Sequence, residues 1–167
     1  MSKNLKIAIA LMLLSCTFLT LCSCVAKPKL NLEDAADNLK DENYTVYYVE
    51  DAEDNNPRYQ ETLNAYKGDE GISIIKFTDS KTANLYYENL KLEYDYKIDS
   101  LRLQIETLKH QIKKYEDDLS KEEIKSLEMT LENCEESLEK YKEDYCFGKS
   151  GKTVWYGTKD AAKDSRG

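Results

Sequence analysis

Apolar positions recur at two different spacings in this chain, and the change of spacing divides it. Leu32, Ala35, Ala36 and Leu39 recur by threes and fours, the spacing of one face of an α-helix. Asn31 stands where a side-chain oxygen can cap that helix, with Asp34 three residues on. The helix is expected to run to about Glu42, and Asn43 to leave it in a left-handed conformation. Tyr44–Val49 is dense in β-branched and aromatic residues and predicts a strand. Glu50–Pro57 reads as a polar loop. Thr62–Tyr66 predicts a second strand, with a short helix after Asn56-Pro57 as the competing reading. Gly68-Asp69-Glu70-Gly71 is a turn and Ile72–Phe77 a strand, so the two together suggest a hairpin.

From Asp79 or Ser80 the spacing becomes helical. Ala83, Tyr87, Leu90 and Tyr94 lead into Ile98, Leu101, Ile105, Leu108, Ile112, Tyr115 and Leu119. Ser120 and Glu123 match a capping box. A second run follows at Ile124, Leu127, Leu131, Cys134, Leu138, Tyr141 and Tyr145. Both are heptad runs without Gly or Pro. Folding back at Leu119–Ser120 pairs Leu119 with Ile124, Tyr115 with Leu127, Ile112 with Leu131 and Leu108 with Cys134. Ile105 then meets Leu138, Leu101 meets Tyr141, and Ile98 meets Tyr145. The register is constant along the whole length, as an antiparallel helical hairpin requires. Its second helix, Lys121 to Cys146, would be ~39 Å long.

Phe147–Gly151 is expected to end that helix, Lys152–Tyr156 to form a last strand, and Gly157-Thr158 to cap a final helical turn. The fold class predicted is α+β: a small antiparallel sheet with flanking helices and an inserted long antiparallel coiled-coil helical hairpin. The expected organisation is a segment 1–23, a tether 24–30, and a single domain 31–167 with the hairpin inserted at about 97–146. In the hairpin each helix has one narrow apolar stripe, consumed by its partner; Leu103 and Met129 stand isolated off the seam. Tyr86, Leu92 and Tyr96 broaden the pattern nearer the domain, which suits packing on the sheet. A narrow stripe predicts a monomer.

The N-terminal segment changes the picture most. Met1–Lys6 is short and basic, and Ile7–Leu21 is apolar apart from Ser15, Cys16, Thr17 and Thr20. After Leu21-Cys22-Ser23-Cys24 the chain turns polar. A basic start, an apolar middle and a small residue before a cleavage point make an export signal. With Cys24 next, the pattern resembles a bacterial lipoprotein signal with its lipobox. Leu21, Ser23 and Cys24 fit that box, and Cys22 is an unusual occupant of the second slot. The resemblance implies cleavage before Cys24, a diacylglycerol thioether on its sulfur, and a place on the extracytoplasmic face of the cell membrane. Leu13-Leu14-Ser15-Cys16 is a second candidate box, with Cys16 as the lipidated residue. It leaves Phe18, Leu19 and Leu21 on the mature chain and shortens the apolar stretch. An uncleaved membrane helix over Ile7–Ala26 and an ordinary secreted protein are the other readings.

Tyr66-Lys67-Gly68-Asp69, Ile74–Phe77, Tyr86-Tyr87 and Gly151–Thr158 together resemble small uncharacterised lipoproteins of Gram-positive bacteria. That resemblance covers most of the mature chain and implies no activity and no functional residues.

The net charge is −8, and loss of Lys3 and Lys6 would make the mature chain more acidic. Nucleic acid is therefore not an expected partner, nor is anionic lipid held by a basic patch. The 13 tyrosines against 3 phenylalanines predict aromatic groups half buried with a wet hydroxyl. Beyond Cys24 the mature chain holds Cys134 and Cys146. Read on one helix they lie ~18 Å apart, too far for a disulfide, so both are expected as free thiols, Cys146 the more exposed.

The search for catalytic chemistry yields little. His110 falls outside the seam with no second ligand beside it. The acidic run 50–56 fails as a calcium loop: counted from Asp51, Asn56 and Thr62 stand where Gly and Glu belong. Only weak calcium binding would suit it. Neither cysteine has a histidine placed to activate it. Gly68 and Gly71 flank a turn and open no helix, so no phosphate-binding loop is present. No catalytic residue, cofactor or metal site is predicted, and the chain is read as a non-enzyme. The expectation is a membrane-anchored lipoprotein acting as a non-catalytic binding or structural module, with an unidentified protein partner possible. The alternative is a small envelope enzyme or enzyme inhibitor using a tyrosine-lined cleft. A solute-binding lipoprotein ranks last, because the chain is short for two lobes.

Overall fold

In the computed structural model, which describes residues 26–50, 58–115 and 118–167, Asn31 opens the first helix. Its Oδ1 accepts the backbone N–H groups of Glu33 at 3.1 Å and Asp34 at 3.3 Å. Helix α1, Leu32–Asp41, buries Leu32, Ala35, Ala36 and Leu39. Asn43 then takes φ 65°, a conformation Asn tolerates better than most residues, and strand β1 follows at Thr45–Val49. Strands β2 (Tyr59–Lys67) and β3 (Glu70–Phe77) form an antiparallel hairpin with Leu63 opposite Ile74 and Lys67 opposite Glu70. The competing helix does not form over 59–67: β2 starts before Thr62 because Tyr59 already pairs with Phe77.

Asp79 caps the long helix α2, Ser80–Tyr115, by accepting the N–H groups of Lys81 (2.8 Å) and Thr82 (2.9 Å). Helix α3, Lys121–Asp144, opens on the capping box of Ser120 and Glu123. Contacts between the two helices run in opposite directions along them. Tyr94 stacks on Tyr141 at 5.3 Å, and farther out Lys109 pairs with Glu135 at 2.6 Å.

The helix expected to reach Cys146 ends at Asp144. Tyr145 has extended backbone angles, φ −77° and ψ 135°, and starts strand β4, Tyr145–Ser150. Its backbone pairs with Thr158 of strand β5, Thr153–Thr158, while its ring stays 5.8 Å from Tyr94. Helical spacing sets Tyr145 on the helix opposite Ile98; the residue lies instead on a strand, with its ring against Tyr94. The single-helix separation of Cys134 and Cys146 falls with it. Both are free thiols, and Cys146 is buried in the core rather than exposed.

The strand order is β1-β2-β3-β5-β4, and every neighbouring pair is antiparallel. The last strand is therefore interior, between β3 and β4. One face buries Leu63, Ala65, Ile72, Ile74, Cys146 and Trp155 with α1 and the short helix α4, Lys159–Asp164. On the other, Ile75, Phe77 and Val154 pack with Ala83 and Leu90 of α2. The segment before α1 belongs to this body. Pro28 is buried, Ala26 and Leu30 pack on the core, and the Lys29 N–H donates to Ser165 Oγ at 3.2 Å.

Candidate functional site

The start of α1 and the ends of β1, β2 and β3 leave a cavity of about 680 Å³ between them. Its charged lining is Glu33, Glu50, Glu61 and Lys76, with Tyr48 and Gln60 between. Glu61 and Lys76 face each other across the β2–β3 pair and form an ion pair. Burial, then the carboxylates of Glu61, Glu50 and Glu33, push the Tyr48 phenol up to about 12. It stays protonated at neutral pH and can donate a hydrogen bond but not take up a proton. Glu50 is the one member of the acidic run 50–56 that is described; 51–56 lie outside the described residues. No group of three or more His, Cys, Asp or Glu is placed to hold a metal ion among the described residues.

The tyrosines gather on the α2 side of the sheet. Tyr94, Tyr141 and Tyr145 stack on one another, and Phe147 closes the group against Tyr87. Tyr86 leans on Phe77 and Tyr156, and with Tyr59, Phe77 and Leu85 it lines a second cavity of about 570 Å³. Burial holds the Tyr86 and Tyr145 hydroxyls well above the usual phenol range. These rings serve as packing, and the Tyr86 hydroxyl also has a hydrogen-bond partner in Tyr156. Tyr44 departs from the half-buried pattern: its ring is buried and its hydroxyl reaches Glu70 (2.6 Å) and Asp164 (3.1 Å).

His110 is exposed on α2. Cys134 Sγ has Gln104 Oε1 at 3.9 Å, and burial pushes the Cys146 thiol up to about 11, against a smaller opposite effect of Lys159. The Cys146 thiol is thereby kept protonated at neutral pH. Cys24 and Cys16 lie outside the described residues.

The expectation that Leu92 and Tyr96 pack on the sheet is wrong. They are 66% and 76% exposed, and so are Leu85 (61%) and Leu103 (65%). Sheet packing takes Ala83, Tyr86, Tyr87 and Leu90 instead, which stand on other sides of the helix. The spacing of Leu85, Leu92, Tyr96 and Leu103 by seven, four and seven was the available signal.

No protein-family model, curated protein or solved structure matches the chain. Among the described residues no helix is long and apolar enough to cross a membrane.

Proposed function

We propose that this chain is an extracytoplasmic lipoprotein, attached to the membrane through Cys24, that displays a non-catalytic binding or structural module. The observation that carries this reading is Leu21-Cys22-Ser23-Cys24 after the basic start and apolar stretch of residues 1–21. The beginning of the folded body fits it. Only Val25 separates Cys24 from Ala26, which already packs on the core. Two residues span at most ~7 Å, so the module would sit on the lipid surface rather than swing from a tether. A cysteine carrying two or three acyl chains holds a protein there stably, as one chain does not.

In this reading α2 and α3 form an antiparallel coiled-coil arm. Supporting it, Ile124, Leu127, Leu131, Cys134, Leu138 and Tyr141 are the half-buried positions of α3, and its other described positions are exposed. On α2, Ile98, Leu101 and Ile105 are buried. Metabolic labelling with a fatty acid tests the anchor. Label should appear on the wild-type chain and vanish in Cys24→Ala; label that survives this change but vanishes in Cys16→Ala would move the anchor.

A further inference from the structure

The first turns of α2 and the ends of β2 and β3 border the second cavity, of about 570 Å³. That volume falls within the ~300–1,000 Å³ of small-molecule pockets. One wall is aromatic. Tyr59 pairs with Phe77 at the end of the β2–β3 ladder, and their rings lie 5.3 Å apart. Tyr86 of α2 continues this wall, 5.2 Å from Phe77. The other wall is the helix. Lys81, Leu85 and Asn89 follow at four-residue spacing, which sets them in a row on one side of α2.

On a chain of net charge −8, this cavity is lined by two cations, Arg58 and Lys81, against one carboxylate among the described residues, Asp79. Lys81 makes no ion pair among the described residues. Asp79 is committed to capping the helix. Its Oδ1 accepts the N–H groups of Lys81 and Thr82, and its Oδ2 accepts the Thr82 hydroxyl at 2.7 Å. A third cation stands close by: Lys152 Nζ donates to the Thr78 carbonyl at 2.6 Å. The positive charge therefore lies beside an aromatic wall, with its one nearby carboxylate already engaged.

We propose that this cavity is a binding site for a small aromatic anion, its ring against Tyr59, Phe77 and Tyr86 and its carboxylate at Lys81. The proposal rests on the reading of the chain as a binding module and names the chemistry of what it binds. Offset and edge-on ring contacts supply the apolar part of the affinity. The Lys81 ammonium, beside a low-dielectric wall, attracts an anion more strongly than it would in open water and repels a cation of the same shape. Leu85, 61% exposed, closes on the ring from the helix side.

The test uses the full chain, with labelled leucine methyl groups, in phosphatidylcholine nanodiscs. Empty discs correct for probe taken up by lipid. The probes share one ring system and differ in charge: 2-naphthoate and 2-naphthylmethylammonium. In NMR titrations 2-naphthoate should shift the Leu85 methyl signals by ring current and leave those of Leu103, ~27 Å farther along α2, in place. The ammonium probe should bind at least about tenfold more weakly. Lys81→Glu should remove that preference, and Leu85→Trp should fill the cavity and weaken both probes. Both positions are exposed, so circular dichroism should be unchanged. No binding of 2-naphthoate, equal binding of the two probes to the wild-type chain, shifts that spare Leu85, or a preference that survives Lys81→Glu would each overturn the proposal. Failure of lipid attachment at Cys24 would appear in the fatty-acid label and would leave the probe result standing.

Discussion

Gly148 lies beneath the indole of Trp155 on the neighbouring strand: a Cβ at position 148 would stand 2.4 Å from the ring's Cζ2. The contact is between backbone and a large, buried side chain, so neither can yield cheaply. Gly148→Ala should destabilise the fold by about 1–3 kcal/mol, the usual cost of overpacking a core. Urea unfolding measures it, and an unchanged midpoint would show that Trp155 has room to move.

The two thiols should react in a fixed order. Cys134 is half-buried between helices, whereas Cys146 is buried and its thiol is pushed up to about 11. A maleimide or disulfide reagent at neutral pH should modify Cys134 first and reach Cys146 only on unfolding. Peptide mapping after a timed pulse reads this. Faster reaction at Cys146 would contradict its place in the core.

Local signals were legible in the sequence because their physics is local. Asn31 caps α1, Asn43 turns left-handed after it, and Ser120 with Glu123 opens α3, each within a few residues of chain. Tyr145 stands four residues past Tyr141 and so continues the helical stripe, which sets it opposite Ile98; its ring instead stacks on Tyr94, from a strand. Nothing near Val154 or Trp155 indicates that β5 lies inside the sheet. That placement comes from pairing with Ile72–Lys76, far away along the chain. The exposed line on α2 was visible as spacing, yet only burial separates it from the residues that pack on the sheet.

Acid should weaken the starts of both long helices. Hydrogen bonds from the Thr82 backbone and side chain hold Asp79 below the usual carboxylate range, and those from Ser120 do the same for Glu123. A carboxylate whose pKa is lowered on folding stabilises the fold above its unfolded value. That contribution is lost as pH falls through the folded value. Tm should therefore drop as pH falls below the usual carboxylate range, about 4, and Asp79→Ala should shrink the drop while lowering Tm at neutral pH. A variant with the wild-type pH profile would remove Asp79 from this role.

The pairing of α2 with α3 can be fixed by a covalent bond. Leu108 and Cys134 are both half-buried, and the Lys109–Glu135 ion pair of 2.6 Å lies beside them. The proposed coiled-coil register sets residues 108 and 134 opposite each other, so Leu108→Cys should form a disulfide with Cys134 under mild oxidation, a bond that needs Cα atoms within about 7 Å. Loss of free thiol with helix content unchanged reads the bond. Failure to cross-link in a folded protein would contradict the register.

The central claim is that the folded body hangs from a lipid on Cys24, with one residue between that lipid and the packed Ala26. Mass spectrometry of the N-terminal peptide from the membrane fraction tests this most directly. The predicted result is a mature chain that begins at Cys24 and carries the mass of a diacylglycerol thioether. A chain that begins at Cys16 with that mass would keep the anchor and refute its position. A chain that retains Met1, or begins elsewhere without lipid, would contradict the claim.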